Sequence, residues 1–271
     1  MYQAYWGFSE PPFGNSVDPH RYAPNPWQDE ALARLDYLVE SNCGFGLLIG
    51  PAGSGKSLLL AVLAQRLKQA GKAVATINRA GCEVRDVLAA IALPWGMGLR
   101  PGLSFSPQDT SQLWRQIGDR LVELHYEGRP GVLLLDDLDL AAPAVISALP
   151  RFMTMAPSPL ARLTIIGASS SAGVAAIGDR MLDRADLRIE LPLWDDDDTR
   201  QFITAQLRRA GRTMAIFQDS ALTRLHELSG GSPRRVCQLV QLSLLAGAGR
   251  ELTEIDASTV EAICEELTVI C

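Results

Sequence analysis

No apolar run in this 271-residue chain approaches the roughly 18 residues that a membrane-spanning helix needs. The runs GFGLLIG (44–50) and GVLLLD (131–136) are far too short to span a membrane and read as buried strands. The stretch MYQAYWGFSEPPF has no basic n-region and no apolar h-region, so it does not read as a signal peptide. Cysteine is sparse. Cys43, Cys82, Cys237, Cys264 and Cys271 are scattered and odd in number, without paired metal spacing, which points to reduced thiols in a cytosolic compartment. A basic excess is also missing: the formal net charge is −6, so the chain has no general electrostatic pull toward nucleic acid. Internal repeats and low-complexity segments are absent. What the chain does have is core material. Apolar residues make up 47% and charged residues 21%, enough for one large α/β unit or a core with a smaller appendage.

Residues 1–28, rich in aromatics and Pro, read as an ordered arm. Ala31, Leu32, Leu35, Leu38 and Val39 recur at helical spacing and predict a helix over 28–40. A strand (44–50), a glycine-rich turn and a helix ending at Gly71 follow. Further strands are predicted at 73–77, 131–136, 163–167 and 187–191, with helices at 83–92, 108–126 and 143–155 and a Pro/Gly-rich loop at 93–107. Beyond Leu193 the pattern changes to four helical segments with no strand between them. The resulting layout is an arm (1–28), an α/β parallel-sheet core (29–193) and an all-helical domain (194–271). The acidic run 195–198 reads as an N-cap and first turn favoured by the helix dipole, in preference to a metal site.

GPAGSGKS (50–57) fits G-x-x-x-x-G-K-[ST] and lies between an apolar strand and a helical pattern, the context this phosphate-binding loop requires. Gly50, Pro51, Ala52, Gly53, Ser54 and Gly55 supply a loop whose backbone N–H groups can curl around phosphate, with Leu58 directly behind it. Lys56 is expected to reach the β/γ-phosphates of ATP, and Ser57 to offer its hydroxyl to Mg²⁺. About eighty residues later, VLLLDD ends a second core strand in Asp136, a Mg²⁺ candidate, and Asp137, a candidate to orient the attacking water. Asp is one methylene shorter than Glu, so a carboxylate at 137 sits about 1.5 Å further back, and position is what water activation depends on. Asp139 is an alternate acid, placed on the side of Asp137 if the chain stays extended. Ser169, Ser170 and Ser171, after the fourth strand, are candidates to touch the γ-phosphate, against the alternative of a serine-rich turn. Arg180, Arg184 and Arg188 are candidates for an arginine finger, against the alternative of solvated surface cations. Arg234 and Arg235 follow a Pro at a helix start, where one of them can face a phosphate or both can be exposed.

With these pieces in order, the chain resembles the AAA+ ATPases of the general secretion pathway protein A type, over essentially its whole length. The resemblance rests on YWGFSEPPFGNSVDPHRY with its Asp18 and Pro19, on EALARLDYLV, on the G-F-x-x-L-x-G lead into the phosphate loop, on L-x-x-R before the last strand and on G-G-x-P-R near the end. It implies a P-loop NTPase core with a C-terminal helical lid, Arg184 as finger and Arg234 as second sensor. Two departures stand out. The family pattern has Asp-Glu where this chain has Asp136 and Asp137, and Gly-Gln where it has Gly167 and Ala168, which leaves Ser169 to substitute as first sensor. Members with a membrane span and a peptidoglycan-binding domain after the lid exist, and this sequence resembles the shorter ones. The expected function is therefore an ATP- and Mg²⁺-binding, slow ATP hydrolase. It would form a nucleotide-dependent homo-oligomer, cytoplasmic or held peripherally at the inner membrane through secretion, pilus or export partners. The alternatives are a DNA-associated regulator of the transposition-helper kind and a nucleotide-gated scaffold with little hydrolysis.

Overall fold

The structure, a computed structural model, describes residues 2–268 apart from 15–16, 42, 79–80, 98–106, 157, 159–160 and 162, with only the backbone described at 107–109 and 267–268. The expected loop at 93–107 falls outside the described residues over 98–106, and Cys271 falls outside them as well. In chain order the elements are α1 (Tyr2–Trp6), α2 (Pro26–Glu40), β1 (Phe45–Gly50), α3 (Lys56–Gln69), β2 (Ala73–Ile77), α4 (Val84–Ala92), α5 (Pro107–Tyr126), β3 (Gly131–Leu135), α6 (Pro143–Met153), β4 (Thr164–Ser170), α7 (Asp179–Leu182) and β5 (Leu187–Glu190). The chain then continues through α8 (Asp196–Arg209), α9 (Asp219–Ser229), α10 (Pro233–Gly249) and α11 (Ala257–Thr268).

The described chain divides into two compact units. One comprises Pro26–Pro51 and Lys56–Leu191 and is built on a five-stranded sheet in the order β2-β3-β4-β1-β5. All four strand pairs are parallel. Parallel strands need crossover connections and are covered on both faces, so they appear in sequence as continuous apolar runs, as β3 does with every residue buried. β4 extends three residues past the predicted end at Gly167, to Ser170. It lies between β3 and β1, and its ladder with β1 continues to Gly50 opposite Ser170. Paired backbone groups there outweigh the weak strand preference of Ser.

The other unit comprises Met1–Asn25, Ala52–Gly55 and Pro192–Cys271. Its core joins Trp6, Phe8 and Phe13 of the arm to Trp194, Ile203, Phe217, Leu225, Val236 and Leu244. Trp6 buries its ring and donates Nε1–H to the Leu244 carbonyl at 2.8 Å, so the indole satisfies its one polar group inside the core. The acidic run caps α8 as expected. Asp195 Oδ1 accepts from Asp198 N–H at 2.7 Å, and Asp198 Oδ2 accepts from Asp195 N–H at 3.3 Å.

Candidate functional site

The loop after β1 carries the local geometry its sequence predicts. Gly53 (φ +80°) and Gly55 (φ +98°) are left-handed, a region glycine enters without the Cβ penalty. α3 then begins at Lys56 with no acidic residue in its first turn, so its N-terminal N–H groups present an uncompensated positive end. Lys56 is buried, and its Nζ donates to the carbonyls of Gly50 (2.8 Å) and Pro51 (2.9 Å). Ser54 is also buried, and its Oγ has no hydrogen-bond partner among the described residues. An unsatisfied buried hydroxyl costs about 1–3 kcal/mol, a cost that a polar ligand would relieve. The loop therefore suits an anion: positive-φ glycines, a helix N-terminus, an ammonium group and an orphaned hydroxyl occur within it. Ser57, partly buried on the first turn of α3, is available as a hydroxyl ligand.

Sheet register places the other core residues. Leu135 pairs with Gly167, Ile49 with Ser169 and Gly50 with Ser170, so the carboxyl ends of β3, β4 and β1 lie side by side. Asp136, one residue past β3, is half-buried; its N–H donates to Ile77 O (2.9 Å) and its Oδ1 accepts from Asp137 N–H (3.1 Å). Asp137 is exposed and left-handed (φ 48°, ψ 46°), which is uncommon outside glycine. Extended backbone ends there. Leu138–Leu140 form a single 3-10 turn, which overturns the extended-chain reading of Asp139. Asp139 Oδ2 instead accepts from Ser170 Oγ (2.6 Å) and Ser170 N–H (3.3 Å). Ser169 is fully buried and donates its hydroxyl to Ser170 O at 3.1 Å. The tie between Asp139 and Ser170 is invisible to sequence spacing, since the residues are 31 apart and the turn that joins them begins at a left-handed Asp.

The arginines divide by position. Arg184 lies in the turn between α7 and β5 and is exposed, with no ion pair among the described residues; Arg188 reaches Asp183 at 3.9 Å. Arg234 is exposed near the start of α10, after Ser232 and Pro233. Its N–H, one of the orphan donors of a helix start, donates to Gly53 O at 3.2 Å within the compact unit that holds both residues. The fit is close: a Cβ at Gly53 would lie 2.6 Å from Ser232 Oγ and 3.1 Å from Arg234 Cβ.

Among the described residues, no cluster of three or more His, Cys, Asp or Glu side chains could hold a metal ion, and no helix is long and apolar enough to cross a membrane. A cleft of about 440 Å³ lined by Pro24, Trp194, Arg200, Phe202 and Arg208 includes none of the predicted site residues.

Residues 39–172 match the family model of an AAA domain. Over 92% of its length the chain is 30% identical to general secretion pathway protein A of Aeromonas hydrophila, and it spans 45% of that relative. Among solved structures it is similar to Cdc6p of Pyrobaculum aerophilum (17% identity, 88% of this chain, 67% of that one, TM-score 0.69). It is also similar to the Drosophila ORC bound to DNA (15% identity, 95% of this chain, 64% of that one, TM-score 0.71). At such identities the structures speak for the fold alone. The parallel sheet and the loop after β1 accord with the match of residues 39–172 to an AAA domain, and over 92% of its length the chain is similar to general secretion pathway protein A.

Proposed function

We propose that this chain is an ATP-binding AAA+ ATPase with slow turnover, whose nucleotide state governs its assembly with itself and with proteins of an envelope export system. The observation that carries the reading is the edge of the sheet where the phosphate loop, Asp136 and Ser169 come from the adjacent ends of β1, β3 and β4. Ligands of open α/β sheets bind at the carboxyl ends of their strands. Gly50, Pro51, Ala52, Gly53, Ser54 and Gly55 would cradle phosphate through backbone N–H groups, with Leu58 packed behind them. Lys56 would leave the carbonyls of Gly50 and Pro51 for the phosphate oxygens, which gives the ammonium an anionic partner in place of neutral ones. Ser57 and Asp136 would hold Mg²⁺. When bound, that ion neutralises charge on the phosphate oxygens. Asp137 would orient the attacking water and take its proton. Ser169 would serve as first sensor and Arg234 as second sensor, the latter supported by its backbone contact with Gly53. Arg184, exposed and without an ion pair among the described residues, suits a finger offered to a neighbouring copy.

The coupling to an export system rests on the similarity to general secretion pathway protein A. The formal charge of −6 disfavours a DNA-associated role, which requires a local basic surface. The direct test is titration of a fluorescent ATP analogue. Lys56→Ala should remain folded and lose binding; near-normal affinity in a folded variant would overturn the site. Mass measured with and without ATP, alongside ATPase rate against protein concentration, tests the link to assembly.

A further inference from the structure

The turn after β3 is held on both sides of Asp137. On the strand side, Asp136 N–H is bonded to Ile77 O. On the other side, Leu138 is buried and occupies the space a side chain at Gly167 would take, since a Cβ there would lie 2.5 Å from Leu138 Cδ2. Next to it, Asp139 Oδ2 receives both the hydroxyl and the N–H of Ser170. Ser170 Oγ in turn accepts from Gly173 N–H at 2.9 Å. Gly173 has no side chain where the Asp139 carboxylate sits, and a Cβ at that position would overlap Oδ2. Asp139 Oδ1 is buried with no hydrogen-bond partner among the described residues, an expense that a turn needing only packing would avoid. Between these anchors Asp137 holds a left-handed conformation that costs an L-residue energy and persists only where its surroundings impose it.

We propose that Asp139 is a positioning residue. Its tie to Ser170 and Gly173 fixes the turn, and the turn fixes the backbone from which the Asp137 carboxylate is presented. The inference rests on the reading of Asp137 as the water-orienting acid. It also gives the short side chain a counterpart: with one methylene fewer than Glu, reach must come from the backbone.

The test compares kcat, KM for Mg·ATP and analogue affinity in wild type, Asp139→Ala, Asp139→Asn and Gly173→Ala, with folding checked by thermal melting. Asp139→Ala should lower kcat about tenfold to a hundredfold, the scale of a small misplacement, with affinity changed less than about twofold. Gly173→Ala should do the same with the Asp139 carboxylate intact, and keeps the test alive if Asp139→Ala does not fold. Asp139→Asn should recover most of kcat, because an amide oxygen can still accept from Ser170. The inference is overturned if Asp139→Ala keeps wild-type kcat, if kcat and affinity fall together, or if Asp139→Asn recovers nothing. A wild type with no turnover would instead overturn the hydrolysis reading itself, and the positioning role with it.

Discussion

Gly53 and Gly71 share a left-handed backbone but differ in their surroundings. A Cβ at Gly71 (φ +79°) would meet nothing within 4 Å among the described residues, whereas one at Gly53 (φ +80°) would meet Ser232 and Arg234. Gly71→Ala should therefore cost only the conformational penalty, on the order of 1 kcal/mol. Gly53→Ala should cost more, roughly 2–3 kcal/mol once steric displacement is added, and should weaken nucleotide-analogue binding. Denaturant midpoints and analogue titrations of both variants check this, and equal losses would remove the close-fit account of Gly53. The places of Lys56 and Ser57 at the start of α3 and of Asp136 just past β3 were legible in sequence, because the phosphate-loop pattern and an apolar strand ending in Asp each state a geometry. Asp139 was not. Its role depends on a left-handed residue and on a serine from a strand distant in sequence.

α11 shows how much a helix start contributes. Asp256 accepts from Thr259 Oγ1 (2.7 Å), Thr259 N–H (2.9 Å) and Ser258 Oγ (3.0 Å). These donors, the Thr259 hydroxyl foremost, hold the Asp256 carboxyl below its ordinary value. A depressed folded-state pKa stabilises above the unfolded value, near 3.9, and the gain is lost as pH falls through the folded one. Asp256→Ala should cost about 1 kcal/mol at pH 7. The gap from wild type should close as pH falls below about 4. Chemical denaturation across pH checks both, and a gap that widens in acid would contradict the capping account. At this scale the strands β1, β2, β3 and β5 and helices α8, α9, α10 and α11 could be read from apolar runs and helical periodicity. α1 could not. Its order comes from Trp6 packing against residues more than 180 positions away, and local pattern carries no trace of that. The extra length of β4 was hidden for the same reason, since Ser169 and Ser170 are strand residues only because β1 lies beside them.

At the scale of the whole molecule, the account requires that copies act together. Arg184→Ala should bind nucleotide normally and turn it over slowly. Mixed with Lys56→Ala it should recover part of the rate, because a mixed assembly can pair an intact loop with an intact finger. Additive, unrecovered rates in mixtures, or full activity in Arg184→Ala alone, would remove Arg184 from the site. The central claim is that Asp137, on its held turn, is the acid that activates water. The measurement that tests it most directly is the ATPase rate of wild type, Asp137→Asn and Asp137→Glu under saturating Mg·ATP, at a concentration where the protein self-associates. The account predicts a slow but measurable wild-type rate, loss of turnover with binding retained in Asp137→Asn, and activity retained in Asp137→Glu, raised about tenfold if reach limits the enzyme, a change of only about 1.4 kcal/mol in the barrier. One and the same negligible rate in all three proteins, with assembly still responding to ATP, would contradict it and leave a nucleotide-gated scaffold.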